Sequence, residues 1–189
     1  TGFDVGIETT AFIPPPAFSA AVQALSGSAA PSLLLIPKIN LHKGLPGGLD
    51  IGISVFYWVS NGQPLSTFGG DVKWTFFQRI GLPALAIRAS FDLNNLWFAT
   101  TNTYDLDALI SYPLIVIDPY IGGGITYWNG ALSVPVGAGL TISNSTWGYT
   151  PRVYAGFPLK MGIFRITAQA EYIFTGLITV GGKISFGWG

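Results

Sequence analysis

Side chains able to do acid-base or nucleophilic chemistry are few in this chain of 189 residues. There is no cysteine, which excludes thiols and disulfides, and a single histidine, His42. A catalytic histidine needs a carboxylate or nucleophile within hydrogen-bond reach. Asp105 and Asp107 are a paired-carboxylate candidate, because residues two apart on an extended chain share a face, although two carboxylates on one strand make a weak cation motif. Other ionic residues keep the same even spacing: Asp4 with Glu8, Asp71 with Lys73, Arg88 with Asp92, and Arg165 with Glu171. The opposite parity is apolar in each case, so charges of both signs fall on one face and hydrocarbon on the other. Trp128, Trp147 and Tyr149 are candidates of a second kind, since an indole or phenol ring can stack on a sugar or sit at a membrane boundary.

Strands must present these faces. From Phe164 to Phe174 the even positions are Phe, Ile, Ala, Ala, Tyr and Phe, while Arg165, Thr167, Gln169 and Glu171 fill the odd ones. After Thr175-Gly176 the alternation restarts, with Ile178, Val180, Ile184, Phe186 and Trp188 opposite Thr179, Lys183 and Ser185. Aromatic residues close each apolar face, where a membrane barrel places its interfacial rings. Composition agrees: 49% apolar and 10% charged residues, with a mean hydropathy of +0.48, is too apolar for an ordinary soluble surface. Yet no run approaches the roughly 18 apolar residues of a helical span. A backbone that crosses a bilayer without helices must pair between strands and close on itself. Nine cationic residues balance nine carboxylates, so no long-range field points to nucleic acid as a partner. Thr1 opens directly into strand-like sequence, so any secretory signal is expected to have been removed.

Taken in order, the alternation predicts an all-β, antiparallel up-and-down transmembrane barrel of about ten strands, with eight as the alternative, in a single domain over 1–189. The expected strands cover 2–13, 32–43 and 49–60, then segments around Phe68, Ile87, Leu106 and Ile125, then 151–157, 164–174 and 178–188. Long connections are expected at 14–31, where 17–25 could form a short helix after three prolines, at 94–102, and longest of all at 129–150. The other connections read as short turns at the opposite end. Gly122-Gly123-Gly124 reads as a bulge or as a place where a lumen element packs close.

A chain built this way resembles a small bacterial outer-membrane β-barrel. The alternating segments carry the resemblance, with a closing strand, 178–188, similar to the amphipathic C-terminal strand that barrel-assembly machinery recognises, although it ends Trp188-Gly189 rather than on the aromatic residue. No particular family matches, so no functional residues carry over. The resemblance implies the bacterial outer membrane, the lipid bilayer as partner, and the assembly machinery during biogenesis. Proteases and lipid A-modifying enzymes of this architecture place His with Asp or Ser near the extracellular rim. His42 falls beside a short turn at the periplasmic rim, a membrane thickness from Asp105 and Asp107, and reads as an ordinary rim residue. No catalytic set, cofactor or metal is expected.

The expected function is a narrow porin-like channel for ions or small solutes. Lys38, Asp50, Asp71, Lys73, Arg88, Asp105, Asp107, Arg152, Arg165, Glu171 and Lys183 would line or close its lumen. The same charges, paired, could instead fill a rigid closed core. One alternative is a closed barrel acting as a structural or adhesion-type surface protein through 14–31 and 129–150. Phe18, Val22 and Leu25 in the first segment, and Trp128, Trp147 and Tyr149, would then be the ligand candidates. Another is a carrier of hydrophobic molecules with a lateral opening, where Gly122-Gly123-Gly124 or Pro37 weakens the wall.

Overall fold

A computed structural model describes residues 2–13, 33–60, 63–96, 99–135 and 141–188. Ten antiparallel strands form a closed barrel, each hydrogen-bonded to the next and the last to the first. They are β1 (Phe3–Ile13), β2 (Leu34–Leu45), β3 (Leu49–Ser60), β4 (Gln63–Phe77), β5 (Ala84–Leu96), β6 (Ala99–Ser111), β7 (Tyr120–Pro135), β8 (Thr141–Met161), β9 (Phe164–Ile173) and β10 (Leu177–Trp188). A path perpendicular to the strands runs from Phe3 through Lys43, Ile51, Val72, Ala89, Leu106, Ile125 and Pro151 to Phe174. Phe174 lies beside the start of β10, whereas Phe3 faces Trp188 at its end. One circuit therefore climbs about the length of a strand, a stagger that tilts ten strands by roughly 40°.

Alternation decides which side chains face out, and the barrel is inverted relative to a soluble protein. Its buried residues are mostly polar, among them Asp4, Asn40, Thr67, Asp105, Asp107, Thr126, Thr150, Thr179 and Ser185. Its exposed residues are Ile, Leu, Val and aromatics on every strand. At the end holding both termini Phe3 stacks on Trp188 at 5.9 Å, and Phe164 meets Phe186 at 4.8 Å. Tyr57, Tyr104, Tyr127 and Tyr149 stand at the other end. Tyr104 to Tyr112, or Tyr149 to Phe157, spans about 20 Å along the axis at this tilt, close to the apolar band of a membrane barrel.

The connections differ from expectation. Segment 94–102 is mostly ladder, because β5 continues to Leu96 and β6 starts at Ala99. Segment 129–150 is also mostly strand, paired from Asn129 opposite Trp147 to Pro135 opposite Thr141. Above the bilayer both faces of a strand are wet, so the apolar alternation lapses while the backbone ladder persists. At the opposite end the connection 112–119 is longer than the short turn expected. It is held by Tyr112 N–H to Pro119 O, Leu114 N–H to Ile117 O and Lys160 N–H to Val116 O. Asp118 falls in this connection and pairs with Lys160.

Gly122-Gly123-Gly124 is not a bulge, since its register with β6 and β8 is unbroken. A register shift falls instead between Thr75 and Phe77. The expected helix over 17–25, with Phe18, Val22 and Leu25, lies outside the described residues.

Candidate functional site

The lumen holds two ionic clusters. In the upper one Arg88 of β5 donates through Nε and Nη2 to Asp107 Oδ2 of β6, at 3.1 and 3.0 Å. Arg152 of β8 donates to both oxygens of Asp107, at 3.1 and 2.7 Å, and to Glu171 Oε1 of β9 at 3.2 Å. Asp105 lies 3.4 Å from the Arg152 guanidinium and accepts from Thr126 and Ser90. Such short, multiply shared bonds are what a charge needs in order to be buried. In the lower cluster Asp4 accepts from Lys183 at 2.6 Å, Ser185 at 2.8 Å and Arg165 at 3.4 Å. Lys73 pairs with Asp50 at 3.0 Å, and Lys38 crosses from β2 to Asp92 on β5 at 2.7 Å.

The glycines of β7 are what let the upper cluster form. Asp107, Gly124 and Arg152 are successive partners across β6, β7 and β8, so the guanidinium reaches its carboxylate over a residue with no side chain. A Cβ on Gly124 would collide with Leu106 O and Asp107, and one on Gly122 with the Tyr154 ring. Gly124→Val is expected to cost about 1–3 kcal/mol through overpacking. Gly182→Ala has nothing within 4 Å of the new carbon and is expected to stay within about 0.5 kcal/mol. Urea midpoints of folding into lipid vesicles compare the two.

Two cavities enter the lumen from opposite ends. The upper, about 470 Å³, reaches from Phe12, Ile36 and Ile173 down to His42. The lower, about 480 Å³, reaches up from Gly2, Phe3, Gly187 and Trp188. His42, Asp71, Arg88 and Lys183 line both and separate them. His42 is thus not a membrane thickness from Asp105, because both line the upper cavity. Its nearest carboxylate is Asp71, at 3.9 Å, while Asp105 and Asp107 are engaged by the two arginines. The inclined ladder brings residues far apart in strand position to similar heights. Asn40, Tyr120, Tyr154 and Gln169, which share the inward parity but are not among the candidate site residues, also face the lumen. Tyr120 O–H donates to Gln169 Oε1 at 2.6 Å, and an uncharged inward residue leaves no signal beyond its parity.

The three aromatic candidates do not gather into one site. Trp128 turns inward, its Nε1–H donating to Thr150 Oγ1 at 3.1 Å. Trp147 and Tyr149 point outward, and Tyr127 lies 6.5 and 5.0 Å from them between ring centres. Rings at this level, rings again at the terminal end, and a mostly hydrocarbon band between them are the exterior of a protein that spans a bilayer with strands. The barrel is of the outer-membrane type. No family model matches its sequence, and no curated protein is similar to it in sequence. Solved structures similar to this outer-membrane barrel include the N-terminal β-barrel domain of OprF from Pseudomonas aeruginosa, 12% identical over 98% of this chain and 97% of that one, with a TM-score of 0.49. The attachment invasion locus protein Ail of Yersinia pestis is 10% identical over 99% and 97%, with a TM-score of 0.42. The KdgM porin in complex with oligogalacturonate is 6% identical over 98% of both chains, with a TM-score of 0.44.

Proposed function

We propose that the barrel is a narrow porin-like channel for ions and small polar solutes, with a preference for cations. The observation that supports this reading is the pair of cavities, which leave the lumen interrupted at mid-height by four polar side chains rather than by a packed apolar core. The cation preference rests on charge balance. Asp4, Asp50, Asp92, Asp105, Asp107 and Glu171 each have a Lys or Arg partner. Among the described residues Glu8 accepts from the neutral Asn40 and Thr10 and Asp71 is paired with His42 alone, so two carboxylates beside the upper cavity have no Lys or Arg within ion-pair distance. Glu8 lies between Lys38 and Lys183, which are engaged by Asp92 and Asp4.

Single-channel recording in planar bilayers tests the reading. Discrete current steps are expected, and Lys183→Gln with His42→Ala, which thins the partition, is expected to raise their size. Folded, inserted protein that stays silent would overturn it. A second reading, surface recognition, is favoured by the hairpin of β7 and β8, which projects beyond the aromatic ring while β9 ends at Ile173, opposite Arg152. Shortening that hairpin would then abolish binding to cells and leave the current unchanged.

A further inference from the structure

One stretch of the wall has two neighbouring strands without a ladder between them. β2 pairs with β1 as far as Leu34 opposite Phe12, and β3 pairs with β4 as far as Ser60 opposite Gln63. Between β2 and β3, however, the register stops at Ile39 opposite Val55. Among the described residues, 34–38 and 56–60 therefore have no ladder between them, at the level of the aromatic ring that Tyr57 marks. Pro37 stands in this seam and has no N–H to offer. Unpaired backbone at a bilayer is costly and is tolerated only where it borders a cavity or other polar surroundings.

The seam joins two unlike environments. Its outer lips are apolar, with Leu35, Tyr57 and Val59 at least half exposed. Its inner lip, Ile36 and Lys38, lines the upper cavity. Lys38 reaches behind β3 and β4 to Asp92 and so is already engaged. Opposite Lys38 in the β1–β2 ladder, and opposite Lys183 in the β1–β10 ladder, is Glu8; both lysines are engaged elsewhere, by Asp92 and Asp4, and among the described residues Glu8 has no ion-pair partner. An anionic head entering here would meet Glu8 and Asp92, whereas an ammonium head would find an acceptor.

We infer that the seam between β2 and β3 is a side door for a single-chain amphiphile with a cationic amine head, which passes between the outer leaflet and the upper cavity. The alkyl chain lies between Leu35 and Tyr57 while the head takes Glu8. The absence of cysteine from the chain makes a direct test simple. Ile36→Cys carries one bimane label on the lumen side of the seam, and Thr167→Cys carries it on another wall of the same cavity. The probe is an alkyltrimethylammonium bearing a nitroxide on its chain, added to proteoliposomes, with nitroxide-labelled stearate as its anionic counterpart. The cationic probe is expected to quench bimane at position 36 at least threefold more than at 167 and more than stearate does, and Glu8→Gln in the Ile36→Cys protein is expected to remove most of that excess. Equal quenching at the two positions, equal quenching by stearate, or no effect of Glu8→Gln would overturn the proposal. None of these outcomes depends on whether the barrel conducts.

Discussion

Replacing Arg152 with alanine is expected to destabilise the folded barrel by about 3–5 kcal/mol, the usual cost of stranding buried charges. The Arg152 side chain is 11% exposed and that of Asp107 not at all. Without the guanidinium, Asp107 keeps Arg88, but Glu171 loses its cationic partner among the described residues and Asp105 retains only the Thr126 and Ser90 hydroxyls. Asp105 and Glu171 both line the upper cavity, but their side chains are only 6% and 13% exposed, so each would be left largely desolvated. Arg152→Lys should fall between wild type and alanine, because one ammonium cannot serve Asp107 and Glu171 together in the fork geometry that both accept. Equilibrium urea unfolding in lipid reads the difference as a midpoint shift. A shift corresponding to less than about 1 kcal/mol would mean that water fills the gap and that the network does not hold this wall together.

The second large effect is expected on selectivity. Glu8→Gln combined with Asp71→Asn should move the zero-current potential under a tenfold KCl gradient from the cation side to near zero. Each unpaired charge within about 4 Å of a passing ion is worth roughly 1 kcal/mol even at the dielectric of water, or about fivefold in relative permeability. Asp50→Asn is the contrast, since that carboxylate is already neutralised by Lys73 in a half-exposed pair. An unchanged potential in the double variant would place the selective step elsewhere in the lumen.

The strands were legible wherever one face meets lipid. Residues 49–60 were bounded as in the structure, and the closing hairpin to within a residue at each end, because hydrocarbon imposes a strict period of two on Leu49 to Val59 and on Ile178 to Trp188. The same rule explains the failure at 129–150. Gly130, Ser145 and Thr146 stand above the bilayer, where nothing selects for an apolar face, so a continuous ladder reads as loop. For the lumen, parity identified which charges point inward but not which charge meets which. Glu8 stands directly opposite Lys38 in the ladder, yet Lys38 pairs with Asp92, on a strand 54 residues further on. Arg152 reaches Asp107 only because Gly124 separates them, and that depends on registers set by two hairpins together.

The Asp4 cluster sets a limit on how this chain can be made. Its donors come from 161, 179 and 181 residues downstream, so the carboxylate that seals the first strand has no counterpart until almost the whole polypeptide exists. Until then β1 and the newest strand are both open edges, each a template for wrong pairing. Contacts of such long sequence separation form late and slowly. Loss of the last strand would therefore remove the seam that makes the wall a ring, and leave a curled sheet with two reactive borders in place of a nine-stranded pore.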